Sequence, residues 1–174
     1  MKLNNDNIIV LSLKLFAICL CVALALSTLN FITKDIILQR EKDDKANAMA
    51  EIMENCEFES INSDNTVYIA KKSNEEAGYC VNVVSPKGYG GNIEMMIGFD
   101  TDLKVVGIKY ISMSETPGLG MNAKTDVNFN NQFKGKKAFS DDELDAITGA
   151  TITSKAVNYG VNLASSMIKE AVGQ

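Results

Sequence analysis

From Ile8 to Ile32 the chain reads IIVLSLKLFAICLCVALALSTLNFI, 25 positions that carry one charge, Lys14. About 20 apolar residues in a helix cover the roughly 30 Å of bilayer hydrocarbon, so the run predicts a transmembrane helix. Lys14 falls in its second turn, where a long aliphatic stem lets the ammonium reach the headgroups. A cleavable signal peptide competes, because Ala23-Leu24-Ala25 has the small-x-small form of a processing site. Against it, apolar residues continue through Leu26, Leu29, Phe31 and Ile32. A buried core helix is a third reading, and it demands a partner surface that the rest of the chain could hardly supply.

Beyond the apolar run the pattern changes. Asp35 to about Cys56 is rich in Lys, Glu, Ala and Met without Gly or Pro, which predicts a helical stem with a solvated charged face. Val67–Ala70 and Tyr79–Val84 read as short strands. Three glycines in the four positions 88–91, after Pro86, mark a tight turn or a close backbone approach. Ile93, Met95, Ile97 and Phe99 alternate, Asp100-Thr101-Asp102 turns the chain, and Val106, Ile108 and Tyr110 alternate again, so 92–112 reads as an antiparallel hairpin. Ser140-Asp141-Asp142-Glu143 fits a capping box that opens a short helix through Ala146. After Ser154, Val157, Val161, Ala164, Ile168 and Ala171 recur at spacings of four and three, predicting a final amphipathic helix. The fold class is α+β, in three stretches: 1–33 as tail and membrane helix, 34–56 as stem, 57–174 as one domain.

Composition narrows the chemistry. Over 174 residues, 17 Lys and Arg against 22 Asp and Glu give a net charge of −5, which leaves no basic face for nucleic acid. Histidine is absent. That removes Ser-His-Asp triads, Cys-His dyads, His-ligated haem and HExxH zinc. Cys19 and Cys21 lie two apart in a helix and point to different faces, and Cys56 and Cys80 have no CxxC spacing, so no metal site is expected. Outside the cytoplasm Cys56 and Cys80 could form a disulfide or stay free; the sequence leaves both open.

Two segments carry the candidate chemistry. Glu115-Thr116-Pro117-Gly118-Leu119-Gly120 follows a strand as a stiff loop whose backbone can approach a ligand, or as an ordinary connector. Asp145-x-x-Thr148-Gly149-Ala150-Thr151, followed by Thr153-Ser154-Lys155, places hydroxyls just ahead of the final helix. Free amides and the positive end of the helix dipole there suit a phosphate; a Ser/Thr-rich cap is the plainer reading.

Together and in this order, with the Gly-Tyr-Gly-Gly turn ahead of them, these segments resemble the FMN-binding domain shared by the G subunit of the Rnf electron-transport complex and the C subunit of the sodium-translocating NADH:quinone reductase. The resemblance covers nearly the whole chain. It implies that 57–174 is an FMN-binding domain with an antiparallel sheet and flanking helices, and that Thr151 carries FMN through a phosphoester bond made by a separate flavin transferase. Asp145, Thr148, Gly149, Ala150 and Thr151 would be recognised by that transferase, with Asp145 alternatively bracing the turn. The motif position often held by Ser is here Thr148, which keeps the hydroxyl. Amides near Ser154 and Lys155 would hold the phosphate, and Glu115, Thr116, Gly118, Leu119 and Gly120 would line and tune the ring. The Rnf protein is preferred because its quinone-reductase counterpart usually has extra material between stem and flavin domain.

By resemblance the chain is an electron relay in an ion-translocating ferredoxin:NAD oxidoreductase, partnered by other membrane subunits and without complete activity alone. A stand-alone anchored flavoprotein and a non-redox binding module are the rival readings. The resemblance also implies a single-pass protein of the cell membrane with its domain on the extracytoplasmic side. The charge count runs the other way: Lys2 precedes the span, whereas Lys34, Arg40, Lys42 and Lys45 follow it, interleaved with Asp35, Glu41, Asp43 and Asp44.

Overall fold

The computed structural model describes residues 5–137 and 141–173. The chain divides into two compact units, Met1–Asp43 and Asp44–Gln174. Helix α1 (Asn5–Ile52) begins in the first and ends in the second. Within the first unit, Ile8, Leu13, Phe16, Val22, Leu26 and Phe31 are all exposed, as expected of a surface made for lipid, and the helix is long and apolar enough to cross a membrane.

The second unit is built on a five-stranded antiparallel sheet in simple meander order: β1 (Glu57–Ser60), β2 (Val67–Lys72), β3 (Glu75–Ser85), β4 (Ile93–Phe99) and β5 (Val105–Met113). The predicted hairpin is β4 and β5, in register from Ile93↔Met113 to Phe99↔Val105. Its turn is fixed by Asp100, whose carboxylate accepts from the amides of Asp102 (2.9 Å) and Lys104 (2.8 Å). The stem helix stops at Ile52, and Asn55, at a positive φ of 60°, turns the chain into β1. No sequence pattern announces that strand: Glu57-Phe58-Glu59-Ser60 is four residues with one apolar side chain, and only its pairing with β2 makes it a strand.

Alternation gives the sheet two apolar faces. Val81, Val83, Met95, Ile97 and Phe99 bury one face against helix α3 (Thr151–Val172), which contributes Val157, Val161, Ala164 and Ile168. Cys80 and Met96 bury the other against Ala48, Met49 and Ile52 at the end of α1 and Met53 just beyond it. Lys45 meets Glu94 at 3.2 Å, and Lys109 pairs with Glu51, so ion pairs flank that second contact. All four cysteines are free thiols.

Among the described residues of 114–150 there is no long element. A 3₁₀ turn (Gly120–Lys124) leads to the short helix α2 (Val127–Asn131), whose N-cap Asp126 accepts from Phe129 N at 3.0 Å. The predicted capped helix through Ala146 needs correction. Ser140 lies outside the described residues, and only Asp141–Glu143 is helical, as one 3₁₀ turn. The following backbone is tied elsewhere: Asp145 N donates to Gln132 Oε1 (3.0 Å) and Ile147 N to Ser154 Oγ (3.0 Å), which takes the amides that a helix would need.

Candidate functional site

Helix α3 starts at Thr151, four residues earlier than the expected start after Ser154, because Ser154 N already bonds to Ala150 O at 2.9 Å. The apolar spacing registers only from Val157, since the first turn, Thr-Ile-Thr-Ser, has no apolar stripe. Thr151 is therefore the first residue of the helix and not part of a loop ahead of it. The amide of Ser154 is consumed by the helix, so the available donors are those of Thr151, Ile152 and Thr153, the first turn whose N–H groups have no intrahelical acceptor. The N-cap residue is Ala150, which has no side chain to cap them.

The turn before the helix is held shut by Ser154. Its hydroxyl donates to Ala150 O (2.9 Å) and accepts from Ile147 N, while Ala150 N donates to Ile147 O (2.9 Å). Gly149 lies at φ 76°, a conformation that side chains rarely adopt, and a Cβ there would sit 3.0 Å from Leu119 Cδ2. Thr151 at the end of this tight turn and Thr148 at its start are both exposed.

Three segments meet at one cleft of about 540 Å³, within the roughly 300–1,000 Å³ typical of ligand pockets. Tyr89 comes from the turn between β3 and β4; Glu115, Thr116, Leu119 and Gly120 come from the loop after β5; Gly149 to Thr153 come from the helix start. Tyr89, Leu119 and Ile152 are 71%, 44% and 54% exposed, so the cleft has an apolar rim.

At its base lies Glu115, 6% exposed. Oε1 accepts from Gly90 N at 3.0 Å and Oε2 from the Thr153 hydroxyl at 2.8 Å. One carboxylate therefore ties all three segments together. It also bears on two glycines: a Cβ on Gly120 would lie 2.6 Å from Oε2, and one on Gly88 would overlap Gly91 O and lie 2.6 Å from Oε1.

Of the residues singled out in the sequence, the structure gathers Glu115, Thr116, Leu119, Gly120, Gly149, Ala150 and Thr151 at the cleft. Ser154 and Lys155 are not in its lining: Ser154 is fully buried under the turn, and Lys155 faces Asp141 at 3.6 Å. Gly118 stands off at φ 77° with open space where a Cβ would go, its carbonyl accepting from Asn122 Nδ2 at 3.0 Å. Asp145 is held by its backbone, through Gln132. Tyr89 is a site residue that the motifs do not single out, although the Gly-Tyr-Gly-Gly turn that carries it is visible in the sequence.

A larger groove of about 750 Å³ lies between the end of α1, β5 and α2 and contains none of these residues. Among the described residues no cluster of three or more His, Cys, Asp or Glu is placed to hold a metal.

Residues 88–166, which include all three segments of the cleft, match the FMN-binding domain family. Among characterised proteins, the chain is 34% identical to the G subunit of the proton-translocating ferredoxin:NAD(+) oxidoreductase complex of Clostridium ljungdahlii, over 98% of this chain and 93% of that one. It is 33% identical to the G subunit of the Na(+)-translocating ferredoxin:NAD(+) oxidoreductase complex of Acetobacterium woodii, over 88% and 87%. The G subunit of the ion-translocating oxidoreductase complex of Aliivibrio fischeri matches at 34% over 56% and 52%. With a cleft of this build and likeness along nearly its full length, the chain belongs to the family of Rnf G subunits, found in ion-translocating ferredoxin:NAD(+) oxidoreductase complexes.

Proposed function

We propose that this chain is the membrane-anchored flavoprotein subunit of an Rnf complex, carrying FMN on Thr151 through a phosphoester bond and relaying electrons between its neighbours. The observation that carries the reading is the uncapped start of α3: an exposed hydroxyl at Thr151, beside first-turn amides with no intrahelical acceptor, opening on a cleft of ligand size. Gly149 and Ala150 add almost no bulk, so both a flavin phosphate and a modifying enzyme can reach that hydroxyl. A phosphodiester keeps one negative charge, which suits the amides and the positive end of the helix dipole.

The flavin, once attached, supplies the redox chemistry. The chain's own residues hold and orient it. First-turn amides take the phosphate, the apolar rim of Tyr89, Leu119 and Ile152 covers flat apolar surface, and the Glu115 bridge fixes the loop and helix start on which the rim is mounted. Histidine is absent from the chain, in keeping with a relay that moves electrons and performs no acid–base work on an organic substrate.

A flavin transferase is the further partner in this reading. Asp145, Thr148 and the turn up to Thr151 are its recognition surface, with backbone bonds from Asp145 to Gln132 bracing the segment. The membrane location rests on the apolar part of α1. The domain is assigned to the extracytoplasmic side, where a Cys introduced at exposed Lys72, in a chain stripped of its native cysteines, is expected to react with an impermeant maleimide in intact cells. Labelling only after lysis reverses the topology.

The decisive experiment on the site is flavin fluorescence in a denaturing gel. Thr151→Ala is expected to lose it completely and Thr153→Ala to keep it. Undiminished fluorescence in Thr151→Ala removes the assignment. Co-purification with multi-span membrane subunits separates the Rnf role from a solitary anchored flavoprotein.

A further inference from the structure

We infer that Glu115 is an electrostatic tuning residue of the cleft, whose fixed negative charge makes reduction of a flavin bound there less favourable. The inference rests on the reading that FMN occupies this cleft. Each oxygen of Glu115 accepts one hydrogen bond, from Gly90 N–H and from the Thr153 hydroxyl, the arrangement that an ionised carboxylate takes. No Lys or Arg among the described residues pairs with it. Lys87 and Lys155, on the other two segments, are engaged elsewhere: Lys87 Nζ lies 3.7 Å over the Tyr159 ring, and Lys155 faces Asp141.

The charge is also held in place. Gly88 and Gly120 bring backbone close to the two carboxylate oxygens, a Cβ on either falling 2.6 Å from one of them, and the residue is 6% exposed. Water therefore screens it poorly, and its field acts across the cleft that it lines. Each electron that enters the cleft without a proton adds one negative charge to it. A fixed carboxylate at the base opposes that addition, so it lowers the midpoint potential. A residue that acted only as a brace would have no such effect once replaced by a neutral side chain of the same shape.

Glu115→Gln makes that replacement. Its carbonyl can still accept from Gly90 N–H, and its amide can still meet the Thr153 oxygen. In the full chain, purified in detergent, the variant is expected to keep covalent FMN and to show a positive shift in midpoint potential. The shift corresponds to a reduced-to-oxidised ratio about tenfold higher at a fixed redox poise, the scale of a unit charge at an effective dielectric of about 20. Glu115→Asp, which keeps the charge, is expected to stay near the parent. Should Glu115→Gln fail to fold, Glu115→Met with Thr153→Val removes the acceptor and its hydroxyl donor together and is expected to shift in the same direction.

An unchanged potential in a folded, flavin-bearing neutral variant overturns the inference and leaves the FMN assignment standing. Loss of FMN from a folded neutral variant also overturns it, by placing Glu115 in attachment. A parent chain without FMN overturns the assignment itself.

Discussion

The two long helices are both written largely in apolar residues, yet they use them differently. In α1 the stretch from Ile8 to Ile32 carries one charge, Lys14, and its apolar side chains are exposed all round the helix. In α3 the apolar residues fall on one stripe, Val157, Val161, Ala164 and Ile168, each at most 1% exposed against the sheet. The first surface is made for lipid and the second for a core. The difference teaches where chemistry can sit. A helix committed to lipid has little room for a polar site, whereas a core helix has a free end, and the start of α3 is where the cleft forms.

That contrast can be broken by placing one substitution in each helix. Val161→Asp buries an unpaired carboxylate against the sheet and is expected to cost the domain about 3–5 kcal/mol, enough to leave it largely unfolded. A lost cooperative melt by circular dichroism checks it. Val22→Asp acts instead on insertion, by about 2.5–3.5 kcal/mol at mid-span, and is expected to lower the membrane-bound fraction while the domain melts as in the parent. Equal melting for both variants would mean that the two helices are not distinct in kind.

A smaller change tests how closely α3 lies on the sheet. At Gly160 a Cβ would overlap Met95 Cε, so Gly160→Val is expected to destabilise by about 1–3 kcal/mol. The far end of a Met side chain can give way, which keeps the loss at the lower end of that range. Thermal or urea melting reads it directly.

The smallest effect belongs to the opposite face of the sheet, under the last turns of α1. Burial, reinforced by the nearby Cys56, pushes the Cys80 thiol from its ordinary 9.0 up to about 12, and on the α3 face burial pushes Tyr110 up as well. Both groups have folded values above their unfolded ones. Their contribution is therefore full below about pH 9 and is lost as pH rises toward about 12. The melting temperature is expected to stay level from pH 7 to 9 and to fall beyond it. Alkylation at pH 8 should modify Cys56 well before Cys80, read by peptide mass.

Most of the fold is legible in the sequence because its signals are local. The hairpin of β4 and β5 shows in strict alternation with an Asp-rich turn, and the apolar run of α1 in its length. What escapes depends on tertiary partners. Four residues of β1 acquire their identity from β2, and Ser140 to Ala146 has the look of a helix start although Gln132 and Ser154 claim the amides of Asp145 and Ile147.

The site follows the same rule. Motif residues can be picked from the sequence, but their division of labour cannot. Ser154 has the look of a phosphate donor and is instead the staple of the turn, while Glu115 has the look of a ring contact and is the bridge among three segments. Both facts depend on partners 4 to 38 residues away.

The central claim is that Thr151 presents its hydroxyl at the cleft to hold FMN. It is tested most directly by the intact mass of the full chain extracted from membranes, followed by mapping of the modified peptide. The account expects an increment of one FMN less one water, located on Thr151. An unmodified mass, or the increment on Thr148, Thr153 or any other residue, contradicts it.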